Sequence, residues 1–296
     1  LSVRQKSKGD ETMTTILQLS DLHIGPHNDE KDQKTYDLIH HMMTHYQPDI
    51  TVLTGDQIWS EGVIDSGRVY KKLMEYLNRY DTQIATTFGN HDTEGHLKRS
   101  DLRAIEDQYS TNYVQKNHSL IVDDKEAYTI EVVNNDTVTH VLYVIDGGDY
   151  NPFGIGDYDF IRPEHVNWLR ETHQAYQTQF QHNFQHNLLF THIPLQEYRE
   201  VENIGEYHGI FNEPIACSKI NSGLFSQMLL NGDIEGMFCG HDHDNDFTIN
   251  LYGIRLSFGR IGGYNTYGDL QRGARLIELQ PDAIYKSKVL EFDDRF

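Results

Sequence analysis

The sequence is poor in cysteine and in positive charge. Its 296 residues include two cysteines, Cys217 and Cys239, which excludes a disulfide framework and favours a reducing, cytoplasmic setting. Lys and Arg together number 25 against 45 Asp and Glu, so the formal net charge at pH 7 is −20. Such an acidic chain makes nucleic acid an unlikely partner, because neutralising phosphates requires a surface of lysine and arginine.

Long apolar runs are also missing, and none approaches the length of a membrane span, so we expect no membrane partner. The first fifteen residues are polar and lack the apolar stretch of a signal peptide. We expect residues 1–13 to be a disordered leader and residues 14–296 to form a single domain. Met13 is the expected true start, and the leader then derives from an alternative start codon or from an expression tag.

Short apolar runs alternate with amphipathic stretches, and this pattern predicts an α/β fold. The predicted strands are 16–19, 50–53, 84–87, 128–133, 140–145, 188–190, 237–239, 247–251, 254–258, 274–279 and 287–292. The predicted helices are 34–46, 69–80, 100–109, 163–180 and 224–230. A loop rich in Gly, Asp and Tyr separates the two halves at 146–159. Strands in both halves indicate one layered α/β domain.

Residues that can bind metal ions follow five of the predicted strands. The five stretches are Asp21-Leu22-His23, Gly55-Asp56, Gly89-Asn90-His91-Asp92, Thr191-His192 and Gly240-His241-Asp242-His243. In open α/β sheets, ligands bind beyond the carboxyl ends of the strands. We therefore expect the five loops to converge on one site.

The residue types in these loops suit two metal ions. In an extended segment, side chains at i and i+2 lie on the same side, so Asp21 with His23 and His241 with His243 can each direct two ligands into a common cavity. The Asp56 carboxylate has two oxygens and can bridge two cations. Mixed imidazole and carboxylate ligation suits Mn, Fe or Zn better than Ca or Mg. A glycine precedes three of the residues, where the backbone must turn sharply.

Taken together and in this order, the five stretches resemble the calcineurin-like metallophosphoesterases. The resemblance covers residues 16 to about 246, and the stretch at 259–275 resembles the intracellular branch related to purple acid phosphatases. It implies a four-layer α/β/β/α sandwich and a dinuclear-metal-dependent phosphoester hydrolase. The expected substrate is a small phosphoester or a phosphoprotein.

Carried over position by position, the resemblance also implies the ligands. One metal is held by Asp21, His23, Asp56 and His243, and the other by Asp56, Asn90, His192 and His241. A water or hydroxide shared by both metals attacks phosphorus, and His91 acts as proton donor or transition-state stabiliser. Asp92 or another carboxylate is expected to hold the His91 tautomer.

The substrate contacts are expected from Asn90, His91 and Arg260. Asp246, like Asp92, is expected to orient a histidine. Purple acid phosphatases have a tyrosinate ligand three residues after the bridging aspartate, and Trp59 occupies that position here. Two alternatives stay open: a phosphodiesterase acting on cyclic nucleotides or nucleic acid, and a non-catalytic scaffold of the same fold.

Overall fold

The computed structural model describes residues 3–4, 13–180, 186–280 and 283–293. Most of the predicted leader at 1–13 lies outside these residues. Of the leader, Val3 and Arg4 pair in parallel with Val132 and Val133 of a later strand. That residues 14–296 form a single domain stays a prediction.

Strands and helices alternate as expected, and the element bounds are as follows. The strands are β1 Val3–Arg4, β2 Thr14–Leu19, β3 Ile50–Thr54, β4 Gln83–Thr87, β5 Asn117–Val122, β6 Lys125–Asn134, β7 Thr137–Ile145, β8 Asn187–Phe190, β9 Ile234–Cys239, β10 Thr248–Leu251, β11 Ile254–Phe258, β12 Gly273–Gln280 and β13 Ala283–Glu291. The helices are α1 Glu30–Tyr46, α2 Ser66–Leu77, α3 Arg99–Tyr109, α4 Pro163–Phe180, α5 Val201–Ile204 and α6 Leu224–Asn231. Strands β1 and β5 and helix α5 were not predicted.

Within the described residues the strands form two sheets. The small sheet has the order β13-β12-β2-β3-β4, and β2, β3 and β4 run parallel. The large sheet has the order β1-β6-β7-β8-β9-β11-β10, with β5 paired to β6, and its central strands β7, β8, β9 and β11 run parallel. Parallel strands place their carboxyl ends at the same edge, which is where the metal-capable loops emerge.

Alternation along the strands sets the layers, because successive side chains point to opposite faces of a sheet. In β2, Ile16 packs between the two sheets, whereas Leu17 packs against the residues of α1 and α2. Between the sheets, Phe190 and Phe238 stack with their ring centroids 5.3 Å apart. The outer face of the large sheet packs against α4 and α6, through residues such as Leu169. The four-layer α/β/β/α prediction is confirmed.

Helix starts are fixed by aspartates. Asp29 caps α1 by accepting from the Asp32 amide at 3.0 Å, and Asp65 caps α2 by accepting from the Arg68 amide at 3.2 Å. The second helix therefore begins three residues before its predicted start. None of the helices in the described parts of the chain is long and apolar enough to cross a membrane.

Candidate metal centre

The seven predicted metal ligands meet at the carboxyl ends of β2, β3, β4, β8 and β9, and all are buried. Two groups have their ligand atoms within 4.8 Å of one another: Asp21, His23, Asp56 and His243 form one, and Asp56, His192 and His241 form the other. Asn90 joins the second group, since its amide oxygen lies 3.3 Å from His192 Nε2. Asp56 belongs to both groups, so the arrangement matches two adjacent ion sites that share one carboxylate.

The backbone at these ligands is not extended, contrary to expectation. Asp21, His23, Asp56 and His241 all have positive φ, at 54°, 44°, 51° and 82°. Such left-handed conformations persist in non-glycine residues where the surroundings enforce them. Here the loops enforce them on each other, since the amide of Asp21 donates to the Gly55 carbonyl at 3.1 Å and that of His23 to Asp56 at 2.9 Å. His241 and His243 still reach one cluster, where they belong to different groups, as the resemblance implies.

A glycine is required at position 89 by close approach of the ligands. A Cβ atom there would lie 2.1 Å from Asp56 Oδ1 and 2.6 Å from His192 Nε2. Both distances are far below van der Waals contact. The expectation that glycine lets the backbone come close to the metal ligands is confirmed at this position.

Two of the histidines carry ring nitrogens that make no hydrogen bond to the described residues. Both ring nitrogens of His23 and Nε2 of His241 are buried without a hydrogen bond to any residue that the structure describes. Burial lowers the pKa of His23 to about 3 and that of His241 to about 3, so both imidazoles are neutral and keep a free lone pair. A buried polar atom without a partner is costly. A metal ion would satisfy the unprotonated ring nitrogen of each histidine, so the residues present fit a dinuclear centre.

The other two histidines are oriented by backbone carbonyls. His192 Nδ1 lies 2.8 Å from the Thr54 carbonyl, which turns Nε2 toward Asp56 Oδ2 at 3.3 Å. His243 Nδ1 lies 3.3 Å from the Tyr267 carbonyl, and its Nε2 faces Asp21 Oδ1 at 3.5 Å. A hydrogen bond on one ring nitrogen is the usual way to hold the other nitrogen in position for a metal.

The His91 ring lies at the mouth of this cluster. Its side chain is 31% exposed and its ring centroid is 5.0 Å from that of His23. Nδ1 lies 2.6 Å from Glu94 Oε2. Burial alone lowers the pKa of His91, but the Glu94 hydrogen bond and the Asp56 charge outweigh burial and raise it above the ordinary value. The raised pKa favours the protonated ring, and the ring borders the ligand cluster.

The expectation for the His91 tautomer was Asp92 or another carboxylate, and the carboxylate at Nδ1 is that of Glu94 rather than Asp92. The Asp92 carboxylate instead accepts the amides of Asp56 at 2.9 Å, Ile58 at 3.1 Å and Gly89 at 2.8 Å. Burial, followed by the nearby Asp56 charge, raises the pKa of Asp92 to about 7. Asp92 thus ties together the two loops that carry Asp56 and Asn90. Glu94 takes the role at His91, and its spacing of three residues within the short 3₁₀ turn at His91–Thr93 is the sequence signal that could have identified it.

Arg260 and Asp246 pair with each other, and Asp246 belongs to neither ligand group. Arg260 is 1% exposed, and Nη1 donates to Asp246, Nε to the Gln271 carbonyl at 2.7 Å and Nη2 to Glu291 at 2.9 Å. All three of its nitrogens are therefore engaged, and none is directed at a phosphate. Asp246 serves this arginine rather than a histidine. The expected roles of both residues are not met, because an arginine this deeply buried needs internal carboxylates.

Aromatic side chains that sequence reasoning did not assign surround the ligands. The Tyr150 hydroxyl accepts from Asn90 Nδ2 at 3.2 Å and donates to Glu94. The rings of Tyr158 and Tyr267 lie 4.3 Å from His241 and 4.1 Å from His243. The Gly, Asp and Tyr content of the loop at 146–159 predicted irregular structure. Its tyrosines were the feature of the sequence that could have indicated contacts with the ligands.

Comparisons with known proteins agree with the geometry. The family profile described as calcineurin-like phosphoesterase matches residues 14–245. The chain is 26% identical over 305 residues to Probable inactive purple acid phosphatase 14 of Arabidopsis thaliana, covering 90% of this chain and 75% of that protein. It is 29% identical over 272 residues to Phosphatase DCR2 of Saccharomyces cerevisiae, covering 81% of this chain and 46% of that protein.

Among solved structures, a dimetal phosphatase from Danio rerio superposes with a TM-score of 0.63 at 13% identity, covering 93% of this chain and 98% of that one. At that identity the likeness shows the fold alone. The fold, the paired ligand groups and the match over 14–245 lead to one conclusion: this chain belongs to the calcineurin-like phosphoesterase family.

Proposed function

We propose that the chain hydrolyses phosphate monoesters at a dinuclear centre holding Mn, Fe or Zn. The observation that carries the proposal is the pair of ligand groups sharing Asp56, with unpaired buried ring nitrogens on His23 and His241. When bound, the ions supply Lewis-acid stabilisation of the phosphoryl oxygens and lower the pKa of water so that it can attack phosphorus.

The protein's own part in the reaction falls mainly to His91. Its ring borders the cluster beside His23, and because Glu94 occupies Nδ1, Nε2 is the ring nitrogen left for the substrate. From there Nε2 donates a proton to the ester oxygen of the departing group. Asn90 and His91 contact the substrate, and the buried site excludes most water from the reacting group.

The substrate proposed here is a small phosphoester or a phosphoprotein in the cytoplasm, not nucleic acid or a membrane lipid. The net charge of −20 opposes binding of a polyanion. Arg99, which borders the site, directs its nitrogens at Asp146, Asp149, Thr93 and the Gly89 carbonyl. It therefore has no nitrogen free to grip a second phosphate.

A relative that has lost its activity does not make this chain inactive. The Arabidopsis relative is named as probably inactive, and that statement concerns that protein. A scaffold that has lost catalysis usually lacks metal ligands or the proton donor. Here all seven ligands and His91 are present and grouped, which supports activity over a purely structural role.

The test combines metal analysis with a substrate panel. Purified protein is loaded with Mn, Fe or Zn, and its bound ions are counted before assay on alkyl and aryl monoesters, a phosphoserine peptide, a diester and cyclic AMP. Asp56→Asn and His91→Ala prepared in the same way control for contaminating phosphatases. We expect two ions per chain and monoester turnover, which Asp56→Asn should lose and His91→Ala should lose mainly on the alkyl esters. Turnover of diesters alone supports the phosphodiesterase, and two ions without any turnover support the scaffold.

A further inference from the structure

The indole of Trp59 is held rigidly beside His91 and left exposed. Its backbone amide donates to the Ile24 carbonyl at 3.0 Å, and its Nε1 donates to the Glu61 carbonyl at 3.0 Å. The indole lies nearly parallel to the His91 imidazole, at an angle of 24° and a centroid distance of 6.3 Å. The residue is nonetheless 38% exposed. Both N–H groups of Trp59 are satisfied internally, so the free surface of the indole offers an apolar, aromatic contact.

A cavity of about 570 Å³ opens against Trp59. Its apolar wall comes from Trp59, Pro26, Val63 and Ile64, the last of which is 93% exposed. The volume lies within the range of small-molecule sites. Trp59 links the cavity to the ligand cluster, because it lines the cavity and its indole lies beside His91.

The charges around this cavity are mostly negative. Its lining includes the four carboxylates of Asp29, Asp32, Glu61 and Asp65. Arg68 is the one Lys or Arg among the described lining residues, and its Nε lies 3.7 Å from Asp65. A group carrying a second phosphate or a carboxylate is therefore repelled from the cavity, whereas an uncharged ring is not.

We propose that this cavity is the subsite for the leaving group, and that the leaving group carries an aromatic ring without negative charge. The proposal rests on the proposed phosphomonoesterase function. The phosphoryl group is held at the ligand cluster, His91 faces the ester oxygen, and the ring packs on the indole of Trp59. Phosphotyrosine and small aromatic phosphates share this chemistry, and they are separated by assaying free phosphotyrosine beside a phosphotyrosine peptide.

Kinetics on benzyl phosphate and ethyl phosphate test the subsite. The two leaving alcohols have similar acidity, so the ratio of their kcat/KM values reports binding of the ring. We expect wild type to favour benzyl phosphate about 10-fold, since stacking adds to the burial of the ring. Trp59→Ala should lose the preference, Trp59→Phe should keep most of it, and Leu230→Ala, a truncation of an 80% exposed side chain on α6, should leave the ratio unchanged. An equal ratio in wild type and Trp59→Ala overturns the proposal.

A charged substrate tests whether the acidic lining of the cavity repels a negatively charged leaving group. 4-Carboxybenzyl phosphate should be a poorer substrate than benzyl phosphate, and Glu61→Gln should reduce the difference. A carboxylate that improves turnover in wild type contradicts the acidic lining as a selector. A nucleoside monophosphate preferred over benzyl phosphate also overturns the proposal, because the larger, ribose-linked group is then the one accommodated.

Binding without turnover separates this subsite from the proposed activity. Benzylphosphonate, which cannot be hydrolysed at an ester bond, should change the fluorescence of metal-loaded wild type but not of Trp59→Phe, and ethylphosphonate should change neither. Trp168, the other tryptophan, is 7% exposed and contributes a constant background. A fluorescence response without turnover leaves the subsite standing and removes the activity. Turnover without a preference for benzyl phosphate and without a fluorescence response keeps the activity and rejects the subsite. If turnover, preference and fluorescence response are all absent, the activity and the subsite are both rejected.

Discussion

His91 Nδ1 lies 2.6 Å from Glu94 Oε2, and the other oxygen of Glu94 accepts the hydroxyl of Tyr150. Tyr150 in turn accepts Asn90 Nδ2 at 3.2 Å. One hydrogen-bonded chain thus runs from the proposed proton donor to a ligand of the second ion. These hydrogen bonds fix the rotation of the His91 ring. They also make Nδ1 the ring nitrogen that donates its proton to Glu94.

Replacing His91 tests its role as proton donor. His91→Ala should lower kcat on an alkyl phosphate by about 10²–10⁴-fold, because the group acts mainly in the transition state. Metal content and fold should be retained, since no ligand is removed. The loss should be smaller on a nitrophenyl ester, whose leaving group needs little protonation. Loss of a metal ion in the variant, measured by elemental analysis, would show that His91 is a ligand instead.

Glu94→Gln tests whether the carboxylate acts through His91. The change keeps the shape of the side chain and removes its charge, and we expect kcat to fall roughly 10- to 100-fold, the usual effect of losing a group that orients a site histidine. In His91→Ala the same substitution should cost little more, because its partner is already gone. Glu75→Gln, on the exposed side of α2, is the control. Additive losses in the double variant would refute the coupling.

Asp56→Asn tests the shared ligand. Asparagine tolerates the positive φ of 51° at this position better than alanine does, and its amide oxygen can bind one ion but cannot bridge two. We expect at most one tightly bound ion per chain, whereas His23→Ala should weaken mainly one site. Asp37→Ala, an exposed position on α1, should retain two. Two tightly held ions in Asp56→Asn would contradict the ligand assignment.

Much of the site could be predicted because strand ends are visible in the sequence and parallel strands bring their ends together. The conformations of the ligand loops could not be predicted from the sequence. The positive φ at Asp21 and His23 is enforced by hydrogen bonds to the loop at Gly55 and Asp56, which is remote in sequence. The role of Arg260 could not be predicted for a similar reason. Arg260 was expected to contact the substrate, yet its partners, Asp246 and Glu291, come from other parts of the fold.

The colour of an iron-loaded sample tests whether Trp59, at the position of the tyrosinate ligand, leaves the metal without a phenolate ligand. A phenolate-to-iron band needs a tyrosinate ligand, and an indole cannot ligate. Tyr267 stacks on His243, but its hydroxyl donates to Glu213 at 3.0 Å, and burial together with that carboxylate raises its pKa well above the ordinary value. We expect a colourless or faintly coloured protein by visible absorption. A strong charge-transfer band that Tyr267→Phe abolishes would show that Tyr267 moves onto the metal.

Gly89→Ala tests the close packing of the ligands. The added Cβ would stand 2.1 Å from Asp56 Oδ1, so the shared carboxylate or the loop must shift. Forced overpacking of this kind costs about 1–3 kcal/mol. We expect a lower Tm in metal-free protein and fewer than two bound ions.

The matched control for Gly89→Ala is Gly67→Ala in α2. There the nearest atoms to a new Cβ are side-chain carbons of Ile105 and Leu97 at 3.5 Å, which is ordinary contact. Alanine is the better helix former by up to about 1 kcal/mol, so the Tm should rise by roughly 2 °C with two ions retained. If both substitutions changed Tm and metal content alike, the effect at position 89 would be a general one of adding a methyl group, and the close approach of Asp56 and His192 would not explain it.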